Sequence, residues 1–124
     1  MNTIHHIAIK AQNLELLKYF YQNQLHLKLV DKQLADDGHV RSYWFDLNGS
    51  ILMLEEAASQ ANQEDYHDNF VIAFKIEPEK RLAVKKDLTS HGVAITKETE
   101  YSFYFSDPEG NELAYSHYPK KIPA

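Results

Sequence analysis

Cysteine is absent from the 124 residues, which excludes disulfide staples and thiolate chemistry and leaves any metal site to His, Asp, Glu and water. Glycine is scarce, with four in the chain, and none belongs to a clustered loop of the kind that cradles phosphates. No apolar run approaches the roughly 20 residues that cross a bilayer. No basic stretch followed by an apolar one opens the chain, so a cytoplasmic address is expected. Positive charge is in deficit: 13 Lys and Arg against 18 Asp and Glu give a net charge of -5. That balance argues against a nucleic-acid partner, because phosphate binding needs a concentrated basic patch. The one basic cluster, KRLAVKK at 80–86, reads as the solvated face of a helix. No Ser sits in a recognisable nucleophile setting, so covalent hydrolysis is not expected.

What is present is an ordinary globular composition, 44% hydrophobic and 25% charged, long enough to close one core as a single domain over 1–124. Ile4 to Lys10 alternates as a strand. Asn13 can cap a helix through LELLKYFYQNQ, with Leu17, Phe20 and Tyr21 on one face. LHLKLVDK and RSYWFDL follow as strands around ADDGH, and NGS turns into ILMLEE. Residues 58–69 are polar and aperiodic and suit a linker. The pattern then restarts: FVIAFKI as a strand, Pro78 in the first turn of EPEKRLAVKKDLTSH, and Gly92 as its left-handed stop. GVAITKE, YSFYFS and NELAYSHY are three more strands, with DPEG turning between the last two.

Both halves, about 1–57 and 70–124, therefore read βαβββ, and Ile7-Ala8-Ile9-Lys10 recurs as Ile72-Ala73-Phe74-Lys75. The expected fold class is α+β, two such modules wrapping a shared concave surface. IHHIAIKAQNLELLKYFYQNQLHLKLV and FYFSDPEGNELAY give the chain its resemblance to the vicinal oxygen chelate superfamily, which includes glyoxalase I, extradiol dioxygenases, fosfomycin-resistance enzymes and bleomycin-resistance binding proteins. The resemblance implies a cupped, incomplete mixed β-barrel, a homodimer, and, in the enzymes, a divalent metal inside the cup. It also implies that Asp107, Pro108 and Gly110 set a turn and carry no chemistry, and that His26 stands where relatives commonly have Gly.

In that family the ligands come from the first and last strand of each module. Carried onto this sequence, the four positions are His6, Met53, Val71 and Ala114, of which only the first can hold a hard or borderline cation. His5 and His6 are adjacent on a strand, so they are expected on opposite faces. A displaced site from His6, Glu55 and Glu112 is the weaker alternative. The expected function is a metal-free protein binding a small organic molecule in the cavity between the modules. Its expected contacts are His6, Arg41, Tyr43, Met53, Glu55, Val71, Ala73, Tyr104 and Ala114. Arg41, Tyr43 and Phe45 share one face of the third strand, Ser42 and Trp44 the other, and alternation alone leaves open which lines the cavity. The alternative function is a lyase or dioxygenase-type enzyme whose divalent metal is held by other residues. A metal-free acid-base enzyme using His6 is a third reading, with no second group paired to it.

Overall fold

A computed structural model describes residues 1–58 and 70–123; most of the expected linker lies outside the described residues. The chain divides into two compact units, Met1–Ala61 and Asn62–Ala124. Each is built on a four-stranded mixed sheet, and together the sheets and few helices make an α+β fold.

The first unit runs β1 (His6–Ala11), α1 (Leu14–Tyr19), a wider π-type turn over Phe20–Gln24, β2 (Lys28–Leu34), β3 (Val40–Asp46) and β4 (Ile51–Glu56). Strand order is β1-β4-β3-β2, with β1 parallel to β4 and the other pairs antiparallel. The Asn13 side chain accepts from the Leu16 amide at 3.1 Å and caps α1 as its sequence predicts. His26 adopts φ 61°, the left-handed conformation expected where the chain leaves the helical segment. β2 therefore begins at Lys28, later than the alternation of LHLKLVDK implies. Ile9, Leu52, Leu54, Tyr43 and Phe45 are buried with Leu17, Phe20 and Tyr21. Tyr21 meets Phe45 at 6.4 Å between ring centroids, so the helix covers the Tyr43–Phe45 face.

The second unit runs β5 (Ile72–Lys75), a 3₁₀ turn at Pro78–Lys80, α2 (Arg81–Ser90), β6 (Lys97–Glu98), β7 (Ser102–Ser106) and β8 (Glu112–Ser116). Its order, β5-β8-β7-β6, repeats that of the first. Proline starts the helical segment where its missing N–H is harmless, and Gly92 at φ 81° ends it. Phe103, Phe105 and Tyr115 pack within 5.6–6.2 Å of one another. The buried Asp107 carboxylate accepts from the amides of Glu109 and Asn111 at 2.9 and 3.0 Å and from the Asn111 side chain at 2.8 Å, which fixes the register of β8 against β7. GVAITKE is mostly irregular, with only its last two residues in β6.

Candidate functional site

Register decides which side chains share the face that each helix leaves uncovered. In the first unit Ala8, Met53 and Trp44 are consecutive partners across β1, β4 and β3. On one side of that row lies Lys10-Glu55-Ser42, extended by Gln33 on β2. On the other lies His6-Ile51-Asp46. The open alternative for β3 is thereby resolved: Ser42 and Trp44 stand with His6 and Met53. Tyr43 does not join them. It is buried against the helix, its hydroxyl donates to Glu15, and Lys18 lies 5.1 Å from its ring centroid. Burial first, and the Glu15 carboxylate second, push this phenol up to about 12. Arg41, on the same side of β3 as Tyr43, is exposed and is likewise not brought to His6 or Met53. The physical reason is composition: the helix-covered face needs the pair Tyr43 and Phe45 for its core, which puts Ser42, itself buried, and Trp44 on the opposite face.

The polar row is closed on itself. Lys10 Nζ donates to Glu55 at 2.7 Å, Trp44 Nε1 donates to Ser42 Oγ at 2.9 Å, and Ser42 Oγ donates to Gln33 at 3.3 Å. Lys10 and Gln33 are contacts that the sequence did not single out. His6 is exposed, and its Nδ1 lies 2.9 Å from His5 Nδ1, the two rings perpendicular at 5.2 Å. The expectation that alternation separates the two histidines does not hold, because β1 begins at His6 and His5 lies ahead of the strand.

The second unit repeats the layout. Ala73, Ala114 and Tyr104 are consecutive partners across β5, β8 and β7, and Lys97 lies 4.7 Å from the Tyr104 ring centroid. Beside them runs Lys75-Ser116-Ser102. Val71 precedes β5 and is exposed, Ala73 is exposed, and Ala114 is buried. Glu112 shares this face, opposite Ser106.

A divalent ion does not fit these residues. Valine and alanine carry no lone pairs, a thioether is a poor ligand for hard ions, and Glu55 is already held by Lys10. Among the described residues no three His, Asp or Glu side chains form a group that could hold a metal.

On the helix side of the second unit, one member of the basic cluster departs from its expected role, while Lys80 and Lys86 are exposed. Arg81 is buried, 8% exposed, and donates to the carbonyls of Thr99, Glu100 and Ser102 at 2.9–3.2 Å, to Glu98 at 3.1 Å, and to His117 Nε2 at 2.9 Å. His117 Nδ1 in turn donates to the Lys120 carbonyl at 2.6 Å. The correction follows from the helix register, which aims Arg81 at the β6–β7 turn. Lys85, and then Arg81, hold the Glu98 carboxyl below its usual range.

The chain matches the model of the Glyoxalase/Bleomycin resistance protein/Dioxygenase superfamily over residues 3–115. It is 30% identical over 117 residues to metallothiol transferase FosB of Bacillus licheniformis, spanning 89% of this chain and 71% of the relative. A variant of the fosfomycin resistance protein FosX from Listeria monocytogenes, solved with Mn(II) and 1S,2S-dihydroxypropylphosphonic acid, superposes with TM-score 0.76 at 18% identity, over 94% of this chain and 92% of that one. A glyoxalase/dioxygenase from Nostoc punctiforme gives TM-score 0.74 at 23% identity over 95% and 92%; at such identities the likeness establishes the fold. No helix among the described residues is long and apolar enough to cross a membrane.

Proposed function

This chain belongs to the glyoxalase/bleomycin resistance protein/dioxygenase superfamily, and from that premise we propose that it binds a small organic molecule on its helix-free sheet surface, without a resident divalent ion. The observation that carries the reading is the pair of matching rows, Ala8-Met53-Trp44 and Ala73-Ala114-Tyr104. Each offers small or apolar side chains beside one aromatic ring, a surface suited to a planar or apolar ligand. His6 supplies a polar contact, its imidazole able to donate or accept a hydrogen bond. Glu55 belongs to the same surface but reaches a ligand only together with Lys10. The reading takes the protein as a homodimer, which light scattering coupled to size exclusion tests.

A second reading, an enzyme with a metal held by non-standard ligands, draws its support from the names of relatives, a metallothiol transferase and a FosX complex containing Mn(II). Native mass spectrometry of protein purified without chelator separates the two. The first reading expects an added organic mass that leaves on denaturation, and W44A expected to lose it. An added metal mass in near-stoichiometric amount overturns that reading in favour of the second.

A further inference from the structure

The helix side of the second unit holds a cavity that the proposed function does not use. It encloses about 620 Å³ between α2, the β6–β7 turn and the segment that follows β8, a volume within the roughly 300–1,000 Å³ of small-molecule sites. Its walls are preformed. Arg81 fixes the turn by donating to the Thr99 and Glu100 carbonyls at 2.9 and 3.2 Å. The facing wall, Lys121–Pro123, starts from a reciprocal pair: the Lys120 amide donates to the His117 carbonyl at 2.8 Å, and His117 Nδ1 donates to the Lys120 carbonyl at 2.6 Å. A ligand entering between them is spared the cost of ordering either wall.

Two observations set the chemistry of that ligand. The first is apolar surface left bare. Leu82 on α2 and Ile122 beyond β8 are 61% and 54% exposed, and both line this one cavity together with Pro78 and Pro123. Large apolar side chains that share a concavity are covered together by a single apolar body. The second is charge. In the lining Arg81, Lys85 and Lys121 stand against Glu79, Glu98 and Glu100, three of each sign, so the formal charges cancel. Glu98 already accepts from Lys85 at 2.7 Å and from Arg81 at 3.1 Å, and Lys121 lies 3.6 Å from Glu100. An ionic ligand would disturb these pairs without gaining a net attraction. Among the described residues of the lining none is aromatic, so a planar ring finds no ring to stack on.

We infer that this cavity is a second ligand site, one that takes an uncharged aliphatic molecule laid between Leu82 and Ile122. It lies on the side of the sheet opposite the helix-free surface and has the opposite preference, aliphatic where that surface suits a planar ligand. The two sites stand or fall separately.

The test uses 1-octanol as the probe, with octanoate, octylammonium and 2-phenylethanol beside it, each followed by amide chemical shifts in the intact protein. Expected is saturable binding of 1-octanol, tighter than that of the other three, with shifts at Leu82, Lys85, Thr99 and Ile122. Leu82→Ser and Ile122→Ser should each weaken it about tenfold, the share of one apolar side chain, with the rest of the spectrum unmoved because both positions are exposed. Leu16→Ser removes a leucine that is 45% exposed on α1 and should change nothing. An equal loss in Leu16→Ser marks adsorption to any bare leucine and overturns the inference. So does octanoate, octylammonium or 2-phenylethanol binding as tightly as 1-octanol, a Leu82→Ser variant that binds like the wild type, or the absence of any saturable shift along α2.

Discussion

Replacing Arg81 by Met removes five hydrogen bonds from a side chain that is 8% exposed. They are not equal. The bond to Glu98 ends on a half-exposed carboxylate and counts for little, and the Thr99 and Glu100 carbonyls lie in an exposed turn where water replaces the guanidinium. The decisive loss is at the buried Nε2 of His117, costing about 1–3 kcal/mol when left without a donor; the Ser102 carbonyl keeps the Thr99 amide at 2.8 Å and adds about 1 kcal/mol for the net bond lost. Met keeps part of the packing on Phe103, whose ring centroid lies 5.9 Å from the guanidinium. The expected destabilisation is about 2–4 kcal/mol, or roughly 6–16 °C in Tm for a chain of this size, measured by urea denaturation and scanning calorimetry. Arg81→Lys should recover only part, because a single ammonium cannot reproduce the fork that reaches several carbonyls. A loss below about 1 kcal/mol for Arg81→Met would refute the claim that this residue organises the β6–β7 turn.

Tyr43→Phe should leave the organic adduct seen by native mass spectrometry in place and cost about 0.5–1.5 kcal/mol through the lost bond to Glu15, whereas Trp44→Ala should lose the adduct; the opposite pattern would put the binding face on the wrong side of β3. Spectrophotometric titration should show Tyr43 and Tyr115 ionising only near pH 12, both raised chiefly by burial, with the Tyr43 contribution lost in Tyr43→Phe. His39 donates from both ring nitrogens, to Glu56 and to Asp37, and is raised above its ordinary 6.5 by Glu56 first and Asp37 second. A raised folded value means its contribution is complete below that ordinary value and disappears as pH climbs through the folded one. Proton NMR of the His39 ring should therefore show a midpoint above 6.5 that drops in Glu56→Gln, and an unchanged midpoint in that variant contradicts the pairing. Phe45→Ala, at a fully buried position, should cost about 3–5 kcal/mol in urea denaturation.

The order of elements was legible because its signals are local. Asn13 and Gly92 mark helix ends, His26 takes the left-handed conformation that bulky residues avoid, and the apolar alternation around Ile7 and Ile72 repeats at the same place in both units. The face of β3 was not legible from alternation alone, which yields two sets and no choice between them. The missing fact was the register against β4, which sets Trp44 beside Met53. A signal did exist in the repeat, since Ser42-Tyr43-Trp44-Phe45 parallels Ser102-Phe103-Tyr104-Phe105, and both place the more apolar pair where a core is needed. Arg81 escaped for a different reason. A cationic cluster on a helix reads as solvated, and nothing local reports that a turn nineteen residues later presents carbonyls to one of its members. The strands that Phe70 and Gly92 were expected to open are shorter than alternation implies, because pairing, unlike alternation, depends on a neighbour.

Whether the helix-free sheet surface takes an organic ligand and no cation is decided by incubating the protein with excess Mn(II), Ni(II) or Zn(II), removing free ion by gel filtration, and counting bound metal by elemental analysis. A surface without a cation site retains well under one ion per chain, with no change when His6 is replaced by Ala. About one ion per chain in the wild-type protein, lost in His6→Ala, would show that a metal site is present.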